Sequence, residues 1–153
     1  MTRGRLPLVL AGTAVAALAL SGCTKPAPGA GVFTGTTSEY RAAACWSFDG
    51  TGIDATSCAQ EVLASAADGA RMASLPLIPG TVVGISVDPT VADAGWTPRI
   101  AGQPLVSTPL TTTYWRFTFP EFQPIGEDGL TLELVAGSDG ITKGVWLFQL
   151  VPA

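Results

Sequence analysis

Three stretches of the chain alternate apolar and polar residues with a period of two, which restricts the fold to sheets more than any other feature. Thr81 to Pro89, "TVVGISVDP", sets Val83, Ile85 and Val87 against Val82, Gly84 and Ser86. Thr113 to Pro120, "TYWRFTFP", sets Trp115, Phe117 and Phe119 against Tyr114, Arg116 and Thr118. Leu130 to Val135 sets Leu130, Leu132 and Leu134 against Thr131, Glu133 and Val135. Successive side chains of a strand point to opposite faces, so each stretch predicts one buried face and one wet face. "GVWLFQLV", Gly144 to Val151, is apolar on both faces and predicts a strand that is central or lies beneath a second layer.

Glycine and proline separate these stretches. Pro79-Gly80 and Pro89 bracket the first, "PIGEDG" (Pro124 to Gly129) joins the second to the third, and "GSDG" (Gly137 to Gly140) predicts a hairpin loop. Earlier, "EYRAAACWSF" (Glu39 to Phe48) reads as a strand and "DGTGID" as a turn. After Cys58 the signals conflict. Ser57 and Gln60 have capping-box spacing and the alanines favour helix, whereas Asp68-Gly69 is a hairpin signal. The reading is a short helix over about residues 59–67. The expected fold is mainly β: a small immunoglobulin-like β-sandwich with one disulfide and one short helix. Residues 32–153, 122 in number, suffice for a single domain with one core, and no internal repeat is visible.

Ahead of that domain, Arg3 and Arg5 precede the uncharged, mostly apolar run Leu6 to Leu20, which is followed by Ser21-Gly22. Those parts make an export signal. The run is 15 residues long with Pro7 and Gly12 inside it, short of the roughly 20 apolar residues of a membrane-spanning helix. The sequence Leu20-Ser21-Gly22-Cys23 resembles the lipobox of bacterial lipoproteins. The resemblance implies that residues 1–22 are a cleaved signal peptide and that the Cys23 thiol carries a diacylglyceryl group. It further implies that the new N-terminal amine takes an acyl chain such as palmitate. The expected location is the cell membrane, lipid-anchored on the extracytoplasmic side of the envelope. A secretory signal with a chance cysteine is the alternative. Residues 23–31, "CTKPAPGAG", read as the lipidated cysteine and a flexible Pro/Gly tether. Its eight residues after Cys23 span at most about 25 Å in an extended polyproline-like form.

With Arg3 and Arg5 removed, six basic residues face twelve acidic ones, and none of the basic residues cluster. A nucleic-acid partner, which needs a positive stripe to neutralise phosphates, is excluded. With Cys23 assigned to lipid, Cys45 and Cys58 remain as an even pair in an oxidising compartment, expected to form a structural disulfide. A reactive dithiol would have CxxC spacing, and a metal site would need further ligands. Beyond the lipobox, the spacing Tyr40…Cys45, the pair Cys45…Cys58 and "LPLIPGTVVGISVDPTVADAGW" (Leu75 to Trp96) resemble a family of actinobacterial lipoproteins known as a domain of unknown function. That resemblance implies a small extracytoplasmic β-sandwich on a lipid anchor and carries no catalytic residue with it.

The chain contains no histidine. Serine and cysteine relays, imidazole bases, histidine-ligated metals and blue-copper centres are therefore all out of reach. Lys25 and Lys143 stand in no S-x-x-K pattern, and there is no G-x-S-x-G elbow. Carboxylates that could act in pairs are Asp49 with Asp54, Glu127 with Asp128, and Glu121 or Glu133. Several adjoin glycines, where Asp favours turns. "DGTGIDATSCAQ" begins like a calcium loop but has Ile53, Asp54 and Gln60 at positions 5, 6 and 12, so only a looser cation site on Asp49 and Asp54 remains.

Of the tryptophans Trp46, Trp96, Trp115 and Trp146, the first two are the expected exposed contacts for a ligand or partner, with no metal and no cofactor expected. The expected function is a non-enzymatic binding or scaffold module for an envelope protein. The alternative is a carrier or receptor for a small lipid or glycan held between the sheets or on exposed tryptophans. A carboxylate hydrolase is the third reading.

Overall fold

Residues 25–65 and 72–153 are described by the computed structural model. In chain order they form β1 (Gly29–Thr34), β2 (Thr37–Ala42), β3 (Cys45–Trp46), α1 (Ala55–Ala64), β4 (Met72–Leu77) and β5 (Val82–Val87). These are followed by α2 (Pro89–Ala94), β6 (Trp96–Ile100), β7 (Gln103–Pro104), β8 (Tyr114–Thr118), β9 (Leu130–Ser138) and β10 (Ile141–Pro152). The export signal, the lipobox with Cys23, and Asp68-Gly69 lie outside the described residues.

Two open sheets face each other. One runs β2-β1-β5-β8, antiparallel throughout. The other runs β3-β10-β9-β6-β7, and β4 joins it parallel to β10. Because β9 occupies one edge of β10, β3 and β4 share the other: β3 pairs at Gly144 and Val145, β4 from Leu147 onward. β4 also packs against β2, which closes that side of the sandwich. There β2 places Glu39 and Arg41 in an ion pair at 3.0 Å, a charged edge that discourages pairing with another chain.

The period-two reading identifies the inward residues, whereas Gly84 and Val135, expected on the wet faces, are buried as well. Val83, Ile85 and Val87 of β5, Leu132 and Leu134 of β9 and Phe119 after β8 are buried in one core with Val32, Leu75, Trp96 and Phe148. β10 is buried on both faces. Trp146, Phe148 and Leu150 enter that core, while Val145 and Leu147 pack with Cys58 and Val62 of α1 in a second cluster. The GSDG loop is a tight hairpin, with Asp139 and Gly140 both at positive φ, 54° and 79°.

Three boundaries differ from expectation. The domain begins earlier than residue 32: Gly29, Ala30 and Gly31 belong to β1, and Ala30 is fully buried. The strand expected over Glu39 to Phe48 breaks at Ala43-Ala44 into β2 and β3, one in each sheet. The helix spans Ala55–Ala64 rather than 59–67, because Asp54, not Ser57, caps it and accepts from the Ser57 N–H at 2.6 Å. A second helix, α2, begins at Pro89, where proline's fixed φ suits a first turn.

Two segments far apart in sequence meet in space. The Asp88 carboxylate accepts from the Gly29 N–H at 2.7 Å and from the Tyr40 hydroxyl at 3.1 Å, and the Asp88 N–H donates to the Gly29 carbonyl at 3.0 Å. The Tyr40 ring lies over Gly29, where any Cβ would overlap it. Asp88 therefore clasps the start of β1 to the end of β5, and its side chain makes no cap bond to α2.

Cys45 and Cys58 form the expected disulfide, with Cα atoms 6.3 Å apart. It lies outside the space between the sheets and fastens α1 to β3. Replacing both cysteines with alanine is expected to cost about 3 kcal/mol by the loop-entropy estimate. The loss should first appear in α1, as faster amide exchange at residues 58–64 than in β9. Equal stability of the two proteins in a denaturant titration would refute this.

Candidate functional site

The side opposite the β2–β4 contact is open. There the four-stranded sheet ends in β8 and the other sheet ends in β7, which is only two residues long. Trp115 and Phe117 project from the inner face of β8, stacked with ring centroids 5.4 Å apart and planes at 23°. A two-residue strand cannot cover two such rings, and a cleft of about 430 Å³ remains between the edges. Its walls are Trp115, Phe117 and Phe119 on one side and Ile100, Ala101 and Leu105 on the other. Its size falls in the range of small-molecule sites, and its lining is mostly apolar with a few polar groups, Gln103, Thr118 and Gln123. The loop after β8 forms its rim through Pro120 and Gln123. Phe122, between them, is 94 % exposed, the most exposed large apolar side chain among the described residues.

Of the two expected tryptophan contacts, Trp96 needs correction. Trp96 is 0 % exposed. It is the first residue of β6, and the segment crossing from β7 to β8 folds back over it. The Trp96 and Leu110 backbones exchange hydrogen bonds at 2.9 and 2.8 Å, and the Trp96 indole N–H donates to the Thr112 carbonyl at 2.9 Å. Trp96 is a rivet for that crossing, not a contact surface. Trp46 is half-buried, tilted against Trp146 with centroids 5.9 Å apart and seated over Gly144. The tryptophan in the cleft is Trp115, which the alternation had placed on a buried face. Phe122 was missed, although an aromatic bracketed by Pro120 and Pro124 in a turn segment is a readable sign of an exposed ring.

The carboxylates do not assemble into a catalytic pair. Asp49 accepts from the Ser47 hydroxyl at 2.9 Å and from the Thr51 N–H and hydroxyl at 3.1 and 2.9 Å. The Thr51 backbone bond, then the two hydroxyls, hold its carboxyl below the ordinary range. Asp54 is lowered by the Ser57 backbone bond of the helix cap. Both acids serve local backbone, and among the described residues no three metal-ligating side chains gather. Glu121, Glu127 and Asp128 are exposed in the loop between β8 and β9. Glu133 is on the outer face of β9 as expected, yet its side chain is only 15 % exposed, 3.9 Å from Arg99. Burial pushes its carboxyl above the ordinary range, and Arg99 opposes this only in part.

Among the described residues no helix is long and apolar enough to cross a membrane. The chain matches no family model, no curated protein and no solved structure.

The raised Glu133 carboxyl sets a sign for stability against pH. The folded state holds this proton more tightly than the unfolded chain, so the contribution is full below the unfolded value near 4.5 and is lost as pH rises through the higher folded value. Glu133→Gln is therefore expected to raise stability at pH 7 by about 1 kcal/mol or less, discounting for partial exposure. The gain should vanish near pH 4. Denaturant midpoints at the two pH values check this, and a variant less stable than wild type at pH 7 would contradict it.

Proposed function

We propose that this protein is a lipid-anchored, extracytoplasmic binding module of the cell envelope, working without catalytic chemistry. Its ligand is a small lipid or glycan that places an apolar group in the cleft between β8 and the β6–β7 edge. The observation that carries the reading is the cleft itself: about 430 Å³ lined by two stacked rings, with an exposed phenylalanine on its rim loop. Burying a phenylalanine contributes about 1.5–3 kcal/mol, so one left in water stands to gain free energy when something covers it. The absence of histidine and the local engagement of Asp49 and Asp54 argue against an enzyme. The lipobox supports the anchor, since two or more acyl chains at Cys23 make attachment stable. A second reading, a scaffold for an envelope protein, draws on the exposed Phe33, Tyr40 and Tyr114 on the outer face of the four-stranded sheet.

Native mass spectrometry of the protein purified without reductant tests the cleft. A co-purifying lipid or glycan is expected, and Phe122→Ala should weaken its retention about tenfold while leaving the melting curve unchanged. A bare polypeptide that takes up no lipid or glycan would overturn the carrier reading and leave the scaffold, to be tested by crosslinking.

The anchor is tested separately. Cys23→Ala should leave unprocessed precursor and lose the lipid mass. If that variant is still processed and stays at the membrane, the lipobox reading is wrong.

A further inference from the structure

An acyl anchor fixes one end of a chain, and the place where that end meets the domain decides which face turns to the bilayer. Here the junction is tightly placed. The Pro28 carbonyl accepts from the Ala43 N–H at 2.9 Å and from the Trp146 indole N–H at 3.2 Å, and the next residue is held by Asp88. Upstream, Lys25 lines an open depression of about 600 Å³ together with Trp46, Phe48, Thr90 and Lys143.

Resting on the anchoring reading above, we propose that this depression is a membrane-docking face, with Phe48 and the edge of Trp46 in the interfacial layer and Lys25 and Lys143 against lipid phosphates. Chain length is the first argument. Cys23 is two residues from Lys25, a reach of about 7 Å at full extension. The headgroup layer on each side of a bilayer is itself about 5–8 Å thick. A glyceryl group on Cys23 sits at that layer, so Lys25 cannot leave it by more than its own thickness.

Composition is the second argument. The chain has only two lysines, far apart in sequence, and both border this depression. Lys143 is the extra residue of a β-bulge where the β10–β9 register shifts between Thr142 and Gly144, and a bulge re-aims its side chain. Phe48 is 60 % exposed beside them. Aromatic rings with lysines whose stems lie on apolar surface are suited to the membrane–water interface. Asp49, in the same loop, is held ionised by its bonds to Thr51 and Ser47. It offsets one lysine, so docking depends on ring burial more than on anionic lipid.

The test uses the full chain, exported, purified from membranes and reconstituted in phosphatidylcholine vesicles carrying a headgroup-proximal doxyl lipid, with and without phosphatidylglycerol. Quenching of tryptophan fluorescence is expected in the wild type. It should be lost in Trp46→Phe, which identifies the quenched ring, and largely lost in Phe48→Ser, a change at an exposed position. Phosphatidylglycerol should deepen the quenching only slightly, and Lys143→Ala should remove that increment. The intact mass separates two failures. A protein that carries the diacylglyceryl mass yet shows no Trp46 quenching overturns the docking face and spares the anchor. A protein without that mass removes the anchor, and the docking proposal falls with it.

Discussion

The structure depends on a strand that must be covered twice. β10 sends Trp146, Phe148 and Leu150 into the space between the sheets, and Val145 and Leu147 out of the opposite face. The inner face is buried simply by forming the sandwich. The outer face needs a further element, because two large aliphatic side chains would otherwise face water. α1 meets that need through Cys58 and Val62. Yet a helix of 10 residues with two buried side chains is marginal alone. The Asp54 cap and the bond from Cys58 to Cys45 on the neighbouring strand hold it in place. The loop between the cysteines is thereby committed too. Asp49 orders its turn and Asp54 starts the helix, which is why carboxylates spaced like cation ligands do backbone work.

This chain of dependence explains what could be read from the sequence. In β5, β8 and β9 the sequence alternation identifies the inward residues one by one, although Gly84 and Val135 on the opposite faces are buried too. β10 was legible as a strand because it lacks alternation, and the layer it needed could be inferred. The missed elements lack a pattern of their own. β1 begins with Gly29-Ala30-Gly31, which has the composition of a linker. Those residues are ordered by partners distant in sequence, Asp88 and Tyr40, and a tyrosine ring fills the space that the glycines leave. β4 is ordered by a parallel pairing with β10 that no local signal announces.

The cleft was less legible than the fold for a related reason. Alternation tells which face of β8 turns inward, but not whether anything stands opposite. Trp115 and Phe117 carry the same signature as core residues and differ only because the facing edge stops at Pro104. Trp96 went the other way. It was expected to be exposed, and it is buried because a segment returning from Leu105 crosses it and bonds to its backbone at Leu110. Both outcomes are set by where a non-adjacent segment ends, which is a property of topology and not of the local run of residues.

Topology also relates the cleft to the proposed anchor. β5 runs from Val82, opposite Thr118 at the cleft, to Val87, next to the Asp88 clasp where the N-terminal segment leaves the domain. The five steps from Val82 to Val87 separate the two by about 17 Å at 3.3 Å per residue. On the proposed anchoring, the membrane lies at the Val87 end, so the cleft would face the aqueous side and a ligand would reach it from there. That orientation depends on the clasp. With Gly29 held by Asp88 and Pro28 by Trp146, five residue steps separate Cys23 from the first held position, a reach of about 16 Å at most when extended. Were Gly29 to Gly31 released, the tether would reach about 25 Å. A leash longer than the distance between the two ends would let the domain turn over. On the proposed anchoring, three hydrogen bonds at Asp88 would therefore set the difference between a domain that is only tethered and one that presents its cleft outward.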